Sequence, residues 1–214
     1  DASKSTPFSI NKQLVRGAVL VAILFACALG TRMSSPDEGG DNGGGSCRHV
    51  LLLVHLLAFS SWFGCSVWVS FVAGLVMFRN LPRHVFGRLQ SRLFPVYFRF
   101  SALNVAVAIF SAGAVGWNAY GLVAVMGTVL LNLLFLEPET TRIMFKRHTV
   151  EKRLGTGHEV GQLKPDDLEK ANDPELRALS KKFGMLHGMS SLMNLAALGF
   201  GCVWLNFCAK QMGQ

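Results

Sequence analysis

Charge is what this sequence has least of. From Val50 to Phe78 there is not one Asp, Glu, Lys or Arg, and over the 214 residues charged side chains make up 16% against 50% hydrophobic. A soluble domain needs more charge than this to coat its surface, so an ordinary globular protein is excluded. Cysteine is sparse too: Cys27, Cys47, Cys65, Cys202 and Cys208 are odd in number and widely spaced. With no C-x-x-C pair and no Cys/His spacing for zinc, neither a disulfide framework nor a metal ligand set is expected. Four of the five sit in or beside apolar segments, where a thiol serves as a small hydrophobe. The chain also lacks an H-E-x-x-H pair and a nucleophile elbow, so no catalytic residue is assigned and no enzymatic activity is expected. Gly155-Thr156-Gly157 falls short of a phosphate loop, because Val160 follows where glycine is needed and no Gly-Lys-Ser/Thr comes after it. The net charge of +8 comes from basic residues placed between hydrophobic segments rather than along one helix face, which argues against nucleic acid as a partner.

What is there is hydrophobic and helical, with a mean hydropathy of +0.36. Four segments are long and apolar enough to cross a bilayer: Val50 to Phe78, Phe94 to Gly116, Tyr120 to Leu136, and Met185 to Cys208. The second begins at Leu93-Phe94-Pro95 and carries Arg99 one turn in, where it can snorkel. Trp117-Asn118-Ala119 closes a tight hairpin between the second and third spans. A fifth apolar run, Gly17 to Gly30, is short for a span and reads as an additional N-terminal transmembrane or signal-anchor helix. The fold class is therefore all-α: a polytopic membrane bundle of four core helices plus one extra at the N-terminus.

Charge placement sets the expected topology. With the loop carrying Arg79, Arg83, Arg88 and Arg92 on the inner side, eighteen of the 21 Lys and Arg fall inside, in accord with the positive-inside rule. Only Arg32, Arg48 and Lys210 fall outside. The division expected is an extension over residues 1–48, with its short apolar helix and a Gly-rich acidic linker from Ser34 to Ser46, followed by a membrane domain over residues 49–210. That domain has a basic inner loop at 79–92 and a polar inner segment at 137–184. The polar segment reads as a helix from Glu139 to Leu154 and a break at Gly155-Thr156-Gly157. A second helix follows, capped by Asp173 with Pro174 at its first position, and runs into the last span.

Polar groups inside the spans are the candidate sites. His187, Ser190, Ser191 and Asn194 recur at i, i+3, i+4 and i+7, which puts them on one helix face. Exposed to lipid they would be costly, so the stripe is expected to face inward and meet Asn104, Asn132 or His55. It is either a ligand or ion site or a set of inter-helix hydrogen bonds. Glu137 and Glu139 flank Pro138 at the inner boundary and are expected to pair with Arg79, Arg83 or Arg142, or to hold a cation. His84 reads as a polar loop residue at the headgroups. Gly184 with Gly188, and Ala102, Ala106 and Gly113, read as close-packing faces.

Several stretches carry a family resemblance: WVSFVAGLVMFRNLPRHVFGRLQSRLFPVYF at Trp68 to Phe98, LEPETT at Leu136 to Thr141, TVEKRLGTGHEVG at Thr149 to Gly161 and HGMSSLMNL at His187 to Leu195. In this order they resemble the transmembrane protein 205 family, a domain of unknown function, over about Val50 to Phe207. The resemblance implies a four-helix membrane domain and no defined active site; the family is linked loosely to drug and metal resistance and to membrane trafficking. The first 48 residues depart from its compact pattern. Together with a start at Asp1, this suggests a trimmed precursor and an accessory subunit of a larger organellar complex, photosynthetic or respiratory. Its partners would be membrane lipids and other transmembrane subunits. Thylakoid or inner mitochondrial membrane is the expected location, with endoplasmic reticulum or plasma membrane as the alternative. Bound lipid is expected, and chlorophyll in a photosystem, with His55, Asn104 or His187 as magnesium ligands. The alternative function is small-molecule or metal-ion transport through the polar stripe.

Overall fold

A computed structural model describes residues 43–161 and 172–212. The apolar run at Gly17 to Gly30 lies outside them, as does most of the Gly-rich linker. The chain divides into two compact units, Asp1–Val54 and His55–Gln214; the architecture given below is that of the second. All regular structure among the described residues is helical. The helices are α1 (Gly43–Val67), α2 (Gly74–Asn80), α3 (Arg83–Ala114), α4 (Tyr120–Leu131), α5 (Glu137–Arg153) and α6 (Pro174–Met212). A six-residue π segment, Trp68–Ala73, fuses α1 to α2, and a five-residue one, Asn132–Leu136, fuses α4 to α5.

The result is four rods long and apolar enough to cross a membrane: Gly45–Asn80, Arg83–Ala114, Tyr120–Arg153 and Pro174–Gln211, of 36, 32, 34 and 38 residues. At about 1.5 Å per residue each exceeds the roughly 30 Å hydrocarbon layer. In the third rod the apolar part is Tyr120 to Leu136, and the charged helix α5 projects beyond it into the aqueous phase. Phe110, Val203, Phe135 and Trp68 stand on the outside, more than half exposed, as lipid-facing side chains do. The chain is an integral membrane protein.

The basic loop expected at 79–92 is mostly helix. Only Leu81 and Pro82 interrupt the rods. Pro82 cannot donate a hydrogen bond, so it sits at the N-cap of α3 with φ −54°, and helix resumes at Arg83. Arg83, Arg88 and Arg92 therefore lie on α3, and Pro95, expected at the start of the second span, lies inside it. At the other end α3 stops in a Schellman turn: Trp117 N–H donates to Ala112 O at 2.9 Å, with Gly116 at φ +82°. Asn118 Oδ1 then accepts from Tyr120 N–H at 3.2 Å to start α4. Asp173 caps α6 as expected, its Oδ1 taking Leu176 N–H at 2.9 Å.

The core is aromatic and small-residue. Phe59 and Trp62 pack with Val105, Ala108 and Ala112 of α3, Leu122, Val125 and Val129 of α4, and Ala197 and Trp204 of α6. Close approach of α6 depends on Gly201, where a Cβ would stand 2.9 Å from Trp62 Cη2. Of the expected small-residue faces, Ala102 packs against the core, while among the described residues a Cβ at Gly113, Gly184 or Gly188 would meet nothing within 4 Å.

Candidate functional site

Two places collect the polar side chains. The first is a cleft of about 560 Å³ at the basic end of the bundle, between the π segment and α2, the first turns of α3, the start of α5, and α6. All four residues of the stripe line it, with Ser70, Gln90, Ser91, Glu137, Thr140 and Thr141. The stripe thus lines the cleft, with Ser191 exposed and the other three partly buried, and its members differ. Asn194 Nδ2 donates to Ser70 Oγ at 2.8 Å, and Tyr97 OH donates to Asn194 Oδ1 at 2.9 Å. Ser190 Oγ donates to Asn132 Oδ1 at 2.6 Å. These two residues tie α6 to the other rods. His187 stacks on Phe183 of its own helix, ring centroids 5.6 Å apart, and forms no hydrogen bond to another rod. Ser191 likewise only lines the cleft.

Glu137 is the one acid of the cleft. Its carboxylate accepts from Thr141 Oγ1 at 2.8 Å and has no ion-pair partner among the described residues. The expected pairing with Arg79 or Arg83 is not formed; Glu139 does pair with Arg142, at 2.6 Å. That hydrogen-bonded guanidinium holds the Glu139 carboxyl below the usual range. Arg79, Arg88 and Arg92 are exposed. Six phenylalanines, Phe71, Phe78, Phe86, Phe94, Phe98 and Phe183, form its apolar walls.

Asn104 and His55 do not reach the stripe. Asn104 Nδ2 donates to Phe100 O on its own helix at 2.8 Å. His55 is fully buried at the opposite end, boxed by Trp117 and Trp204 at 5.6 Å each. Its Nδ1 donates to Ala108 O at 2.9 Å, and its Nε2 accepts from Trp204 Nε1 at 3.0 Å. Both ring nitrogens are used, so His55 has no lone pair to offer a pigment magnesium. Trp117, from the turn between the second and third spans, is half-buried in this box.

The second place was not foreseen. His84, expected at the headgroups, is 6% exposed, and its Nε2 lies 2.8 Å from Glu151 Oε2. His148 lies beside it, the rings tilted by 47° with centroids 4.4 Å apart. Around them Arg83 and Arg147 approach Glu151 Oε1 at 3.6 and 3.4 Å, and Glu159 holds Arg83 at 2.7 Å. Burial would raise Glu159, but its backbone hydrogen bonds and Arg83 outweigh it and hold the carboxyl low. Burial, reinforced by His84 and Arg147, pushes the His148 imidazole down to about 3, so this side chain is neutral.

The loop after α5 builds the surroundings. α5 ends in a second Schellman turn, Thr156 N–H to Glu151 O at 2.9 Å, with Gly155 at φ +71°. The next residues turn back over α3: Glu159 O accepts from Arg83 N–H at 2.9 Å and Gly157 O from His84 N–H at 3.0 Å. Gly157 to Glu159 is thus a clamp that satisfies the otherwise unpaired first amides of α3. The sequence offered no local signal for it, since 67 residues separate His84 from Glu151 and 76 separate Arg83 from Glu159, and only the fold brings them together.

Comparison with known proteins follows this geometry. Residues 57–149 match the model of a domain of unknown function, DUF4149. Transmembrane protein 205 of Danio rerio is 30% identical over 169 residues, spanning 72% of this chain and 88% of that protein. Xanthocillin biosynthesis cluster protein D of Aspergillus fumigatus is 27% identical over 166 residues, spanning 73% of this chain and 87% of that protein. No solved structure matches. Four apolar rods, the order of the quoted stretches and identity across most of both chains agree: this chain belongs to the transmembrane protein 205 family, membrane proteins of unknown function.

Proposed function

We propose that the protein is a non-enzymatic membrane protein that takes up a small amphipathic cation in the cleft, as a step in its transport or in resistance to it. The observation that carries this reading is Glu137, a half-buried carboxylate that accepts from Thr141, feels the charge of Arg99 and has no ion-pair partner among the described residues, in a cleft with six phenylalanine side chains. A carboxylate beside aromatic faces suits an organic cation, which gains an ion pair and cation–π contact while its apolar part displaces water. Ser191 and His187 add polar atoms not committed to packing. Binding of tetraphenylphosphonium to purified protein in detergent tests it. Saturable binding is expected, weakened at least tenfold in Glu137→Gln with melting unchanged. Equal binding by the variant, or none by the wild type, would overturn it.

The accessory-subunit reading has a separate support. Gly184 and Gly188 leave an open small-residue face on α6, a surface on which another transmembrane helix can pack. Other transmembrane subunits and surrounding lipid would be its partners, in an organellar membrane. Gentle solubilisation followed by a native gel distinguishes the two: migration in a stoichiometric assembly favours the subunit, a small isolated particle the cation binder.

A further inference from the structure

The His84–His148–Glu151 cluster has more ligand character than an ion-pair network needs. We infer that these three residues hold one transition-metal ion of the zinc class, at a site that fastens the start of α3 to the end of α5.

The donors come from two elements. His84 is on the first turn of α3, and His148 and Glu151, at i and i+3, share one face of the last turns of α5. One donor atom from each lies within 4.8 Å of the others, and all three side chains are buried. An ion with bonds of about 2.0–2.2 Å holds its ligand atoms roughly 3.3 Å apart in tetrahedral geometry. The three donor atoms would draw in to that spacing on loading.

A second observation points to the ion independently. His148, 5% exposed, has its Nε2 buried with no hydrogen-bond partner. An orphaned ring nitrogen in a packed interior is costly, and a metal bond is one way to satisfy it. The surroundings fix the two rings where a ligand set needs them. Gly87 admits the His148 ring, for a Cβ there would be 2.7 Å from its Cε1. A Cβ at Gly157, which has φ +98°, would overlap the His84 imidazole.

Two imidazoles and a carboxylate select the chemistry. With no thiolate, a soft monovalent ion is disfavoured, and with one carboxylate a hard ion such as magnesium or calcium is too. Arg83 and Arg147 oppose any cation. They approach Glu151 Oε1, however, which leaves Oε2 directed at His84, and Glu159 partly neutralises Arg83. Such contacts orient a ligating carboxylate. They also weaken its affinity, so the ion should be removable by a chelator.

The test uses tag-free full-length protein in detergent, stripped with chelator and reloaded with Co²⁺ or Zn²⁺, then freed of excess metal by gel filtration. The expected result is one equivalent per chain, visible absorption bands of low-coordinate cobalt, and a melting temperature that rises on loading and falls again with chelator. His148→Gln and Glu151→Gln should each cut occupancy at least tenfold, while His187→Gln and the exposed His158→Gln keep it. Wild-type protein that retains no metal would overturn the inference, as would wild-type occupancy and spectrum in both His148→Gln and Glu151→Gln. Should one of these two variants not fold, the other together with the wild-type spectrum decides between a metal site and a buried ion-pair network.

Discussion

Glycines in this chain do opposite things according to what stands next to them. Gly87 is filled on its open side by His148 and Met144, 2.7 and 2.8 Å from where a Cβ would go. Gly188 faces open space. Gly87→Ala should therefore destabilise the protein by about 1–3 kcal/mol through overpacking. Gly188→Ala should stabilise it by roughly 0.5–1 kcal/mol, because it removes backbone freedom from the unfolded chain and adds no clash. Melting of the two variants in detergent checks the opposite signs; a rise for both would mean that α3 and α5 do not meet at Gly87. Trp204 offers a comparable test at the other end. Trp204→Phe keeps the aromatic packing but leaves His55 Nε2 with only the weak Cys208 thiol at 3.8 Å. A loss of about 0.5–2 kcal/mol is expected from an intramembrane hydrogen bond.

At the scale of the helix, periodicity correctly put four polar residues on one face of α6, yet it could not say which of them hold the bundle. Asn194 and Ser190 reach other rods, and His187 and Ser191 do not. Asn194→Leu should lower the melting temperature, since Ser70 loses the amide that donates to it and Tyr97 is left with Ser66 alone, and a hydrogen bond of this kind is worth about 0.6–2 kcal/mol. His187→Leu should melt like wild type and act only on binding in the cleft. Equal destabilisation by both would make the whole stripe a packing device. The two π segments explain part of this division. A wide turn redirects the side chains that follow it: one presents Val69, Ser70 and Phe71 to the cleft, the other sets Asn132 against Ser190. No residue pattern announced either.

For the whole molecule, the basic ends of the rods gather at one face and the Trp117 turn lies at the other, with the end of α6 beside it through Phe207. Single-cysteine probes near Arg88 and Gln214 should therefore label from opposite sides of the membrane. By the charge partition, a probe near Lys4 should label with Arg88. Labelling of Arg88 and Gln214 probes from one side would break the four-rod arrangement. If only the Lys4 probe changed side, the rods would stand and the N-terminal segment would not cross.

What the sequence determined by itself follows from solvent. Long uncharged runs can be stable only in a bilayer as helices, so the class, the four core spans, the cap at Asp173 and the break at Gly155 were legible from composition and local spacing. Tertiary structure alone decided the rest. His84 was unreadable because burial depends on what folds over it: the clamp at Gly157 and Glu159 turns a residue in an Arg-rich stretch into a core histidine. Its pairing with His148 and Glu151, like the choice of Arg83 for Glu151 and Glu159 over Glu137, is set by which rods lie side by side. Contacts between residues so far apart in the chain are fixed by packing, on which local periodicity carries no information.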